Sequence, residues 1–285
     1  NGFVVEYAGS TDDRPDVDVP QPLLDAAMGY VDAAVRQARE AANAPEAGFD
    51  ITVESEIPLG AGLGSSAAVV VAGIDAATRA LGEPLDRREI ADRAYRAEYE
   101  VQDGQASRAD TFCSAMGGAV RVEGDDCTTL STPTLPFVVG FDGGAGDTGK
   151  LVADVRALRD RYDFASDTVD AIGDIVSTGE QLLSEADPNA EPSDELIAEL
   201  GDLMNINHGL LSALGVSSRS LDTMVWAARE AGAEGAKLTG AGGGGCIVAL
   251  DRTDETRTSL RYTPGCEDSF RAELATEGVR VEGDE

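Results

Sequence analysis

The sequence predicts an α+β protein built as two lobes. Strand signals crowd the first half, whereas the second half runs through a long helical stretch and then returns to strands. With 285 residues, 42% of them hydrophobic, the chain can bury one large core or two small ones. The lobe boundary is expected near Asp142 to Asp147, which divides the chain into about 1–145 and 146–285.

Each element has its own reason. "NGFVVEYA" reads as a strand already in progress, and because the chain opens at Asn1, a segment N-terminal to it is expected to be missing. "STDDRPDVDVPQ" is a polar, proline-containing loop. Pro22 to Ala42 reads as a helix, with Leu24, Met28, Val31 and Val35 at helical spacing. "FDITVESEIP" alternates Phe49, Ile51, Val53, Ser55 and Ile57, the pattern of a half-buried strand. A glycine stretch leads into a helix ending near Leu81, and "LDRREIADRAYRAEYEVQ" forms another helix with Asp86 as N-cap. "GGAVRVEG" and "PFVVGFDGG" are strands, the second more buried. Gly149 to Gly232 is almost wholly helical, and "AKLTGAGGGGCIVAL" is strand, glycine loop, strand. The tail offers a helix near Glu267 to Thr276 and a last strand, "VRVEG". No repeat or low-complexity segment is visible.

Charge narrows the class. Fifty-three acids face 22 bases, for a net charge of −31, and Lys150 and Lys237 are the only lysines. Such a surface repels nucleic acid and anionic membranes. The acids are spread evenly, which favours a solvated surface adapted to a salt-rich cytoplasm over a patch for a basic partner. No run is long enough to span a bilayer and no signal-peptide pattern opens the chain, so a soluble cytoplasmic protein is expected. Cys113, Cys127, Cys246 and Cys266 form no CxxC pair, which argues against a zinc site or a disulfide framework.

Three stretches carry chemistry. In "PLGAGLGSSAAVVVAGIDAA", glycines and two serines precede a helix. A helix start exposes N–H groups and the positive end of its dipole, and glycines let a phosphate come close. Ser65 and Ser66 add hydroxyls for phosphate or Mg²⁺, and the small apolar run that follows suits close packing on a sheet. No lysine follows the glycines, so the Walker A pattern fails; a serine-capped turn is the plainer alternative. "KLTGAGGGGC" is a turn nearly free of side chains, open to the approach of a ligand or another stretch of chain. In "EVQDGQASRADTFCSAMGG", Asp110 is suited to accept a hydroxyl proton or, alternatively, to cap a short helix starting at Thr111. Glu100 offers a hard oxygen ligand for Mg²⁺. The lone His208 reads as structural.

"PLGAGLGSSAA" resembles the phosphate loop of the GHMP kinases, and "KLTGAGGGGC" resembles their third motif. Gly104, Ser107, Asp110, Gly117 and Gly118 follow the pattern of the mevalonate kinase branch, as do "DTGKLVADVR" and "LMNINHGLLSALGVSSRSLD". The resemblance implies a first lobe like domain 2 of ribosomal protein S5, a ferredoxin-like second lobe and a site between them. It implies ATP phosphates on Pro58, Gly60, Ala61, Gly62, Leu63, Gly64, Ser65, Ser66 and Ala67, with Gly242 and Gly243 closing over them. Mg²⁺ is implied on Ser66 (or Ser65) and Glu100, with Glu98 as second choice; Asp110 and Thr148 are the implied catalytic residues. The implied reaction is ATP-dependent phosphorylation of mevalonate, with a homodimer left open. The family's N-terminal Pro-Gly-Lys element has no counterpart here. The alternatives are another GHMP kinase, acting on phosphomevalonate, homoserine or a sugar, or a nucleotide-binding protein that has lost catalysis.

Overall fold

The computed structural model describes residues 21–55, 57, 62–104, 106–144 and 146–282, with side chains described from residue 27. The expected strand at "NGFVVEYA" lies outside them. The chain forms two compact units. One takes the described residues up to 57, then 64–129 and the chain from 275; the other takes 62–63 and 130–274. The second unit thus begins before β3 (Phe137–Phe141), because that strand pairs on both sides within it; the sequence had suggested a division past it, at 142–147.

The first unit is mainly helical among the described residues: α1 (Gln21–Ala41), α2 (Ser65–Ala80), α3 (Arg87–Val101) and α4 (Arg108–Met116), with the hairpin β1 (Ala119–Glu123) and β2 (Asp126–Leu130). Small residues let the helices approach closely. A Cβ on Gly73 of α2 would sit 3.0 Å from the Ala34 Cβ of α1. The core gathers Ala34, Val70, Ile74, Ile90, Ala94 and Phe112. Among the described residues the apolar face of α2 therefore packs on helices, where a sheet was expected. Asp86 caps α3 as its position suggested, accepting from Glu89 N.

The segment 49–57 corrects one expectation. Burial alternates along it with period two, as the sequence pattern demands, yet its described residues join no strand ladder. Alternation records which side faces the protein; a strand also needs a partner backbone.

The second unit is a four-stranded antiparallel sheet in the order β4-β5-β3-β6, where β4 is Gly235–Leu238, β5 Cys246–Leu250 and β6 Asp268–Ala272. Helices α5 (Thr148–Arg161), α6 (Asp163–Glu185), α7 (Asp194–Ala213) and α8 (Arg219–Glu230) connect β3 to β4, and α9 (Glu255–Arg261) connects β5 to β6. This is the split βαββαβ arrangement of the ferredoxin-like fold, elaborated by extra helices in the first crossover. Leu221, Met224, Leu238, Ile247 and Leu260 fill the core on the sheet's helical side.

The tail differs from its sequence reading. Part of the expected helix at Glu267–Thr276 is strand β6, paired residue for residue with β3 from Phe137↔Ala272 to Phe141↔Asp268. The expected last strand is irregular across its described residues. Instead the tail returns to the first unit. Gly118 N donates to Ala275 O, Val279 N donates to Ala115 O, and a Cβ at Gly117 would lie 2.3 Å from the Glu277 backbone. Among the described residues no helix is long and apolar enough to cross a membrane.

Candidate active site

The start of α2 lacks a side-chain cap. Gly62 and Gly64 hold φ of 71° and 73°, a region that disfavours side chains. Gly64 is the N-cap, and no side chain caps the helix there. Among the described residues, no side chain accepts from the first-turn N–H groups at this positive end of the helix dipole. Pro58, Gly60 and Ala61 lie outside the described residues. Leu63 packs among Val139 and Cys246, while Ser65 is half-buried and Ala67 is fully buried.

Ser66, in the first turn of α2, donates from Oγ to Glu98 Oε1 at 2.6 Å. Glu98 lies on α3 and is only 2% exposed. Burial raises its carboxyl to about 7, against the lowering effect of the Ser66 hydroxyl, and the charge of Asp110 lifts it further. Asp110 stands in the first turn of α4, whose N-cap is Ser107, accepting from Ala109 N. The capping role considered for Asp110 thus belongs to Ser107. The Asp110 side chain is exposed, yet the protein around it raises its carboxyl above the ordinary range by loss of hydration. Tyr30 of α1, which the sequence did not mark, hydrogen-bonds with Gln102 and Ser66 beside the same carboxylate.

Glu100 does not share this cluster. Residues two apart on a helix point roughly 200° apart. With Glu98 turned inward, Glu100 is exposed and pairs with Arg36 at 3.4 Å. Glu98, the second choice of the sequence reading, is thus the glutamate that meets Ser66, and Glu100 pairs with Arg36 instead.

In the second unit, "TGAGGGG" joins β4 to β5, its mouth closed by Thr239 N donating to Cys246 O. Gly243 N donates to Val216 O at 2.8 Å. A Cβ at Gly242 would fall 2.0 Å from Val216 O, and one at Gly240 would lie 3.1 Å from Gly62 O. The loop is glycine because backbone packs against backbone on several sides. Cys246 is fully buried and burial pushes its thiol to about 12, as befits a packed residue. Thr148 is the exposed first residue of α5, beside the Asp147 N-cap.

Comparison with known proteins gives the family. Residues 29–118 match the model for the GHMP kinases N terminal domain, and 194–262 match that for the GHMP kinases C terminal domain. The chain belongs to the GHMP kinase family. It is 41% identical over 259 residues to the mevalonate kinase of Thermococcus gammatolerans, covering 90% of this chain and 75% of that protein. It is 42% identical over 259 residues to the mevalonate kinase of Pyrococcus horikoshii, with the same coverage. The crystal structure of the Methanococcus jannaschii mevalonate kinase superposes with a TM-score of 0.69 at 26% identity, covering 86% of this chain and 74% of that one.

The basic residues of this GHMP kinase are engaged where the sequence raised questions about them. Lys150 Nζ pairs with Asp154 at 2.6 Å. Lys237 Nζ donates to Leu238 O at 2.7 Å, and burial lowers its ammonium to about 8. Arg108 is held by Asp92 and Asp125 and stacks on Tyr95. His208, read from the sequence as structural, is buried and hydrogen-bonded at both ring nitrogens. Its Nδ1 accepts from Leu238 N, so Nε2 carries the proton and donates to Asp222.

Proposed function

We propose that this GHMP kinase transfers the γ-phosphoryl group of ATP to the primary hydroxyl of mevalonate, giving 5-phosphomevalonate for isoprenoid synthesis. The observation that carries the chemistry is the Ser66–Glu98 pair at the uncapped start of α2, with Asp110 close enough to perturb Glu98. The choice of acceptor rests on the relatives, named mevalonate kinases, at 41–42% identity over 90% of the chain.

The donor set fits a magnesium ion. A hydroxyl and a carboxylate are hard oxygen ligands, and Mg²⁺ in such sites takes one or two carboxylates and draws the rest from water and phosphate. When bound, the ion would supply positive charge that offsets the negative charge developing during transfer. The remaining work falls to the chain. The N–H groups at the start of α2 orient the phosphates. Ionised Glu98 and the Ser66 oxygen present the ligands, while Asp110 accepts or aligns the proton of the attacking hydroxyl. The glycine loop 240–245, with Gly240 against the Gly62 carbonyl, is the second phosphate-facing loop of this reading, and Thr148 adds a hydroxyl at a helix start. The engagement of Arg108 by two carboxylates argues against a phosphorylated acceptor bound there. A salt-rich cytoplasm as working medium follows from the even acidic spread.

ADP release at high KCl with Mg-ATP, comparing mevalonate with phosphomevalonate, homoserine and galactose, tests the proposal. Turnover with mevalonate alone is expected. Asp110→Asn should lower it by about 10²–10⁴-fold, the usual weight of a proton-transfer group, while nucleotide affinity stays unchanged. A second reading, a nucleotide-binding protein without catalysis, draws support from the prior engagement of both lysines. Saturable ATP binding with no turnover on any acceptor would favour it.

A further inference from the structure

Asp142 follows β3 and, among the described residues, makes four hydrogen bonds to the second glycine loop and the segments beside it. Its backbone N donates to Gly245 O at 2.9 Å. Its Oδ1 accepts from Gly245 N at 2.8 Å and from Gly144 N at 2.9 Å. Its Oδ2 accepts from Ser220 Oγ at 2.5 Å, at the start of α8. One side chain thus ties together the C-terminal foot of the glycine loop, the turn that leads toward α5 and the N-terminus of α8. The loop is held from a second direction too: Gly243 N is bound to Val216 O, next to Ser217, whose hydroxyl donates to Asp222 on α8. Gly146, four residues past Asp142, packs so close that a Cβ there would lie 1.8 Å from Gly242 O.

The loop needs such a clamp. Gly240, Gly242, Gly243, Gly244 and Gly245 all have φ between 70° and 157°. Glycine backbone has many conformations of similar energy, so nothing in the loop's own residues selects this one. A carboxylate accepting charge-assisted bonds from two amides and a hydroxyl selects it from outside.

We propose that Asp142 is the positioning residue that holds the 240–245 loop in its phosphate-facing shape, and that it governs nucleotide affinity through the loop without touching the nucleotide. This rests on the kinase reading above for the loop's role; the clamp itself rests on the hydrogen bonds alone.

The test compares Asp142→Ala, Asp142→Asn and Ser220→Ala with the unaltered chain, using hydrogen exchange of the 240–245 amides and the dissociation constant of a fluorescent ATP analogue. Ile197→Ala, a truncation in the separate core cluster that holds Leu135, Leu196, Leu200 and Leu250, controls for general destabilisation. Asp142→Ala should raise amide exchange in the loop and weaken the analogue by about tenfold or more, with Ser220→Ala intermediate. Asp142→Asn keeps an oxygen for the two amides and a nitrogen that the Ser220 hydroxyl can accept from, and should return affinity to within about threefold of the unaltered chain. Unchanged exchange in Asp142→Ala, or the same loss of affinity in Ile197→Ala, would overturn the proposal. Because neither readout uses mevalonate, a failure of the acceptor assignment shows separately, as absent turnover in a chain that binds nucleotide normally.

Discussion

At the scale of single residues, Glu98 carries the most information. A glutamate only 2% exposed, raised to about 7, is one the fold holds partly uncharged against its ordinary value of 4.5. The folded carboxyl keeps its proton more tightly than the unfolded one. Its contribution to stability is therefore full below about pH 4.5 and is lost as pH rises through about 7. Above that, the buried charge costs about 3 kcal/mol unless a cation offsets it. Glu98→Gln should melt higher than the unaltered chain at pH 8 without magnesium, match it at pH 4, and lose magnesium-dependent turnover. Melting curves at the two pH values check this, and an unchanged difference between them would remove Glu98 as the source. If Glu98 holds the magnesium as proposed, turnover of the unaltered enzyme should rise as pH passes about 7, where its carboxyl ionises. The sequence shows acidic residues near the right place, but choosing between Glu98 and Glu100 needs the helix's rotation, which the packing of α3 sets.

At the scale of elements, α7 does a job usually left to a strand. β4 is an outer strand of its sheet, so the amides on its free edge need acceptors. Asn205 Oδ1 accepts from Ala236 N at 3.1 Å, His208 Nδ1 accepts from Leu238 N at 3.3 Å, and Asn205 Nδ2 donates to Glu234 O at 2.9 Å. Side chains three apart on a helix thus serve amides two apart on a strand. The approach is close enough to require glycine on both sides, since a Cβ at Gly235 would lie 2.4 Å from Gly201 O. Asn205→Ala leaves Ala236 N and Glu234 O without these partners and should cost about 1–3 kcal/mol, read from the denaturant midpoint. Loss of less than a few tenths would mean that water replaces the amide. Element identity was legible where periodicity and cap agreed, as in α3 with its Asp86 cap. It failed at β6, because a strand at a sheet margin is defined by the neighbour it pairs with, here β3, and "EDSFRAELAT" does not name that neighbour.

For the whole molecule, charge is the governing quantity. A net charge of −31 opposes compaction through self-repulsion, and salt screens it over a distance that shrinks from about 10 Å at 0.1 M to about 3 Å at 1 M. The unfolding midpoint should climb steadily with KCl from about 0.1 M to 1 M and beyond, and a flat midpoint across that range would sink the salt-adapted reading. By itself, the sequence determined what is local or compositional: the helices whose apolar residues recur at helical spacing, the glycine loops, the acidic surface and the motif residues Ser66 and Asp110. These follow from propensity, spacing and residue chemistry, which neighbouring residues suffice to express. The tertiary structure alone decided that Glu98 rather than Glu100 meets Ser66, that Asp142 clamps the second glycine loop, and that the tail leaves β6 to rejoin the first unit. Each of these depends on contacts between residues far apart in the chain, and such contacts exist only once packing has fixed the rotation of every helix and the order of every strand.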